Sequence, residues 1–104
     1  MTIKTDVQLA RKTLETYFAA RSEAEITADA VKSICALIER LKHHISEIVE
    51  TGTGGNYLTD LTNCYKLLLA EVWPSVQWYA DNPEIAAYRD AMCLCMIDAE
   101  YLEY

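Results

Sequence analysis

The stretch TADAVKSICALIERLKHHISEIVE, from Thr27 to Glu50, decides the fold class. Val31, Ile34, Ile38, Leu41, Ile45 and Ile48 recur at steps of three and four, and side chains so spaced share one stripe of an α-helix. Ala30, Cys35, Leu37 and Val49 widen that stripe, which suits a globular bundle better than a narrow two-stranded seam. The other face carries Asp29, Lys32, Ser33, Glu39, Arg40, His43, Ser46, Glu47 and Glu50, with Ala36 the neutral exception. Thr27 is placed to cap the first turn with its hydroxyl, and Gly52 to end the helix just past its last apolar residue. A helix of this length spans roughly 35 Å at about 1.5 Å per residue, the full height of a small domain.

Working outward, the rest of the chain supplies three more helices. In the first, expected over 5–21 and starting near Thr5 or Asp6, the stripe is Ile3, Val7, Ala10, Leu14 and Tyr17, thickened by Phe18. Ser22 to Glu25 resembles a capping box, but Glu23 to Glu25 carries no stripe, so a break before Thr27 is expected. The third, expected over 57–73 with Asn56 as cap, aligns Leu58, Leu61, Tyr65, Leu68 and Val72. Pro74 then interrupts while Val76 and Tyr79 keep the phase, which leaves two alternatives: a kinked helix, or a fifth helix starting at Pro74. Asn82-Pro83-Glu84 opens the fourth, expected over 83–102, with Asn82 as cap, Pro83 at the first position and an acid near the positive end of the helix dipole. The fold class is therefore all-α: a compact antiparallel bundle of four main helices, or five with a break at Pro74, forming one domain over residues 1–104.

The fourth helix has two apolar stripes. Ile85, Tyr88, Met92, Cys95, Ala99 and Leu102 form one, and Ala87, Asp90, Leu94, Ile97, Tyr101 and Tyr104 form the other, roughly 140–200° round the helix. One stripe meets the core. The second either packs under a neighbouring element or stands open for a partner.

Composition bounds the function. Of 104 residues, 52% are hydrophobic and only five are Gly or Pro, a balance that favours few, long elements in a folded domain. The longest apolar run, Ala91 to Ile97, is seven residues against about 20 for a membrane span, and the opening Met1 to Asp6 has no apolar core of a signal peptide. A cytoplasmic protein is the expectation. The four cysteines sit among apolar neighbours, and Cys93 and Cys95, two apart, point to opposite sides of a helix, so neither zinc nor a disulfide is expected. Net charge is −7 and lopsided: residues 1–52 hold seven basic and eight acidic side chains, whereas residues 53–104 hold two and eight. Such a surface repels phosphates, which argues against direct nucleic-acid binding and for a basic partner.

Candidate chemistry is sparse. Glu39, His43 and Glu47 stand at i, i+4, i+8 on an outer face, a spacing able to hold a metal, yet solvated pairs account for them better. His44 falls at the edge of the core stripe. Thr51 to Asn56 holds all three glycines but closes a helix with no preceding strand and no lysine in register, so it is a connection, not a phosphate loop. No cofactor or metal site and no catalytic residue is expected, and the chain reads as a non-enzyme. All the Tyr and Trp except Tyr17 lie after residue 56, in the acidic half, and such aromatics are favoured at binding hot spots. The expected partner-binding residues are Asp90, Leu94, Ile97, Asp98, Tyr101 and Tyr104. Short, acidic chains without catalytic motifs are similar in type to phage anti-CRISPR and anti-restriction proteins and to immunity proteins of nuclease toxins, although no signature motif carries that likeness. It implies an inhibitor occupying the basic surface of a nucleic-acid-handling protein. The alternative is a structural or regulatory bundle that forms homodimers through the fourth helix.

Overall fold

A computed structural model describes residues 3–19 and 27–100. Four α-helices follow one another: α1 (Ile3–Leu14), α2 (Ala28–Thr51), α3 (Leu58–Trp78) and α4 (Pro83–Glu100), and no strand occurs among the described residues. A π-helical turn, Glu15–Ala19, extends α1, and a 3-10 turn, Gly55–Tyr57, leads into α3. The molecule measures 40 × 27 × 24 Å, so α2 runs along most of its length.

The pair α2–α3 is the centre. α1 packs on both of its members, α4 packs on both, and α1 and α4 share no extensive contact, so they flank the pair from opposite sides. This explains the breadth of the α2 stripe. Val31, Ile34, Cys35, Leu37, Ile38, Leu41, Ile45 and Ile48 are all buried because α2 faces three helices, with Ile38 and Leu41 fully enclosed. Val49, expected on the flank of the stripe, is exposed. From α3 come Leu61, Cys64, Tyr65, Leu68, Leu69, Val72 and Val76, and from α4 come Ile85, Met92 and Cys95. Trp73 and Tyr88 are partly buried against this core.

Local chemistry sets the ends. The Ala30 amide donates to Thr27 Oγ1 at 3.2 Å, and the amides of Glu84 and Ile85 donate to Asn82 Oδ1 at 3.0 and 3.3 Å, as N-caps should. Gly52 closes α2 at φ 71°, a left-handed conformation open to glycine without strain, with its amide donating to the Ile48 carbonyl at 2.8 Å.

Several expectations need correction. α1 begins at Ile3, which places Asp6 inside the helix and not at its cap. Tyr17 leaves the stripe and is exposed, because the wider π turn sets it back relative to an α-helical register. α3 begins at Leu58 behind the 3-10 turn, so Asn56 is not its cap. Of the two alternatives at Pro74, no new helix starts there: α3 continues through it to Trp78. Pro74 lies on the solvent side with Ala70, the residue whose carbonyl loses its amide partner, and water there can take the place of the missing donor. Val76, fully in the core, holds the continuing turn down. The Phe18 side chain, the Ser22–Glu25 segment, Tyr101, Leu102 and Tyr104 lie outside the described residues.

Candidate protein-binding surface

α4 is held at both ends by lysines of α2. Lys32 pairs with Glu84 near the start of α4, and Lys42 Nζ lies 3.0 Å from Asp98 Oδ2 near its end. The hydrogen bonds that both lysines donate to these carboxylates raise their pKa above the ordinary value. Between them the buried Tyr65 hydroxyl donates to the Cys95 carbonyl at 3.2 Å. Burial pushes the phenol pKa upward and keeps it neutral. These contacts run along the flank of α4 and agree with the rotation set by the burial of Ile85, Met92 and Cys95.

In that rotation, the two stripes separate. Ile85, Met92 and Cys95 are enclosed, with Tyr88 and Ala99 half-buried beside them. The second stripe faces outward: Ala87 and Asp90 are exposed, Leu94 is 60% exposed and Ile97 is 54% exposed. Nothing among the described residues covers it. α4 is thus an edge helix with an apolar centre on its outer side, bordered by Asp90.

The expected site residues divide accordingly. Asp90, Leu94 and Ile97 share the outer face. Asp98 is exposed but is spent within the molecule, on Lys42. Glu84, another acid at this helix, is spent likewise on Lys32. Tyr101 and Tyr104 fall outside the described residues.

A second polar cluster is one that sequence reasoning missed. Asp6 is 0% exposed, its Oδ2 lies 2.7 Å from His44 Nε2 and its Oδ1 lies 3.4 Å from Arg40 Nε. A surface cleft of about 520 Å³, lined also by Glu39 and His43, opens beside it. The dyad resembles a general-base pair in outline only. His44 Nδ1 is sealed from solvent and has no partner, so the ring has no free nitrogen with which to take a proton from a molecule in that cleft. What the cluster does is fasten α1 to α2. His43 meanwhile pairs with Glu47 at 2.9 Å on the open surface, and no group of three His, Cys, Asp or Glu side chains among the described residues converges as a metal site. No described helix is long and apolar enough to cross a membrane.

Comparison with known protein families, characterised proteins and solved structures finds no match to this chain. Its surface chemistry alone bears on what it does.

Proposed function

We propose that this chain is a small acidic, non-catalytic binding protein whose α4 outer face occupies the basic surface of a nucleic-acid-handling protein, as an inhibitor of the phage anti-CRISPR or anti-restriction type or the toxin-immunity type. The observation that carries it is the pair Leu94 and Ile97, exposed beside Asp90 on a helix of the acidic half. An apolar centre supplies holding power, and unpaired carboxylates offer a basic groove the charge it expects from phosphate. Since Glu84 and Asp98 are engaged by lysines, Asp90 and Asp81 are the acids that α4 and its start offer a partner among the described side chains. Self-association through the same face is less favourable, because a two-fold contact there sets like charge against like.

Purified CRISPR effectors, restriction endonucleases and nuclease toxins, assayed for DNA cleavage with and without the chain, test this. Inhibition of one of them is expected, with an association rate that falls as salt rises. Ile97→Glu should abolish inhibition at an unchanged melting temperature, and Asp90→Lys should slow association. An acidic protein or a small molecule as the physiological partner, or binding indifferent to both variants, would overturn it.

A further inference from the structure

Between α1 and α2 lies a surface cleft of about 710 Å³, a size within the range of small-molecule sites. It adjoins the smaller cleft beside Asp6, and Ala36 and Arg40 border both. Local structure opens it. On α2, Ala30, Ser33 and Ala36 present small side chains to it, and on α1 the π-helical turn contributes Thr16 and Tyr17 to its wall. Such turns are rare and recur at functional sites. The floor is apolar, from Leu9, Ile34 and Leu37, and Leu9 stays 38% exposed.

Charge at this cleft runs against the rest of the chain. Acids outnumber lysines and arginines by 16 to nine, and Arg11, Lys32 and Lys42 are each matched by a carboxylate of another helix. Lys12, on the α1 wall, has no such partner among the described residues. Arg40, on the α2 wall, meets Asp6 through Nε, at 3.4 Å, and its Nη groups pair with no acid among the described residues. Asp29 is the carboxylate among the described lining residues. It stands roughly 16 Å along α2 from Arg40 and pairs with Lys32 at 3.3 Å. Glu39 lines the neighbouring cleft and not this one. Two cations therefore face one cleft from opposite walls, and a bound anion would remove their repulsion.

We propose that this cleft binds a small amphipathic oxyanion: a carboxylate or phosphate monoester held between Lys12 and Arg40, on an apolar body that covers Leu9, Ile34 and Leu37. An arginine fork and a lysine point charge both suit such a group, and the Ser33 and Thr16 hydroxyls add donors beside it. The apolar floor disfavours a bare inorganic ion, and the two cations disfavour a neutral alkyl compound. α1 and α4 flank the central pair from opposite sides, so the ligand neither competes with an α4 partner nor depends on one.

Titration of the full chain with octanoate, octyl phosphate, 1-octanol and inorganic phosphate, followed by backbone amide chemical shifts, tests this. Octanoate or octyl phosphate should give saturable shifts at Lys12, Ser33, Leu37 and Arg40, with a dissociation constant on the order of 1 mM for a ligand of about ten heavy atoms. The tighter of the two tells carboxylate from phosphate. 1-Octanol and inorganic phosphate should bind at least about tenfold more weakly. Lys12→Glu, at an exposed position, should weaken binding by about tenfold at an unchanged melting temperature, and Lys12→Arg should keep it. Ser33→Tyr, which fills the cleft from another exposed position, should also weaken it and decides the matter if Lys12→Glu melts early. Ile97→Glu should change nothing. The proposal is overturned by the absence of saturable shifts, by shifts centred on Leu94 and Ile97, or by 1-octanol binding as tightly as octanoate. Inorganic phosphate binding as tightly, an adventitious ion only, overturns it too, as does wild-type affinity in folded Lys12→Glu or Ser33→Tyr.

Discussion

Replacing Asp6 by Ala tests whether a single carboxylate anchors α1. The side chain is fully enclosed and meets two donors of α2. They do not contribute equally. Arg40 Nε sits at 3.4 Å, beyond the usual range of 2.7–3.2 Å, and Arg40 is 38% exposed, so water takes over much of its solvation once the acid is gone. His44 is different: its bond to Asp6 is 2.7 Å long, and water has little access to the ring. A hydrogen bond to a charged group contributes about 1.5–3 kcal/mol, and the stranded ring nitrogen adds part of a desolvation penalty. The expected loss is about 2–4 kcal/mol, below the range for breaking a fully buried pair because the Arg40 side is screened. At about 4–8 °C per kcal/mol for a domain of this size, the melting temperature should fall by on the order of 10–25 °C in thermal unfolding followed by circular dichroism. Asp6→Asn should lose less, because its amide oxygen can still accept from His44. Adding His44→Ala to Asp6→Ala should cost little more than Asp6→Ala alone. A fall of less than about 3 °C would refute the assignment of Asp6 as the fastening between α1 and α2.

Other outcomes follow from the core and its thiols. Leu41→Ala, at a fully enclosed position, should cost about 2–5 kcal/mol in urea unfolding, and a neutral result would mean that α2 is not central. Cys35, whose pKa burial pushes up to about 11, should make the fold alkali-sensitive. The unfolded thiol ionises first, so the contribution is complete below about pH 9 and is lost as pH rises toward about 11. Melting temperatures measured from pH 8 to 11 should therefore fall less steeply in Cys35→Ala, and parallel curves would count against a sealed thiol. In the folded protein, Cys93, half-buried where the other three are buried, should react first with an aromatic disulfide reagent; simultaneous reaction of all four would contradict the packing of α2, α3 and α4.

The parts of this fold that could be read from the sequence are those set by neighbours a few residues apart. The α2 stripe, the Thr27 and Asn82 caps and the Gly52 stop all belong to that kind, and the double stripe of α4 did too. What local periodicity could not say was which α4 stripe faces inward, because both are apolar. That choice depends on what α2 and α3 offer to pack against, and Lys32 and Lys42, which reach from α2 to Glu84 and Asp98, accompany it from a distance in sequence that periodicity does not see. Asp6 was hidden for the same reason. Its partners lie 34 and 38 residues away, and a carboxylate near a chain start looks like a cap. One trace existed: Asp6, Ala10 and Thr13 stand at i, i+4 and i+7 on the buried side of α1, and Arg40 and His44 are themselves i, i+4 on α2. Pro74 left two readings open, because a rule about helix interiors applies with less force where the freed carbonyl faces solvent, and that exposure is set by packing.

The flanking arrangement of α1 and α4 has a kinetic corollary. Two outer helices that lean on a common pair but scarcely on each other can detach separately, so the molecule should open in stages. Amide protons of α2 and α3 should then be the last to exchange with deuterium, and those of α1 and α4 should exchange at rates independent of one another. A ligand clamped on α4 would slow exchange in α4 and leave α1 breathing as before, and substitutions in the two outer helices should combine additively.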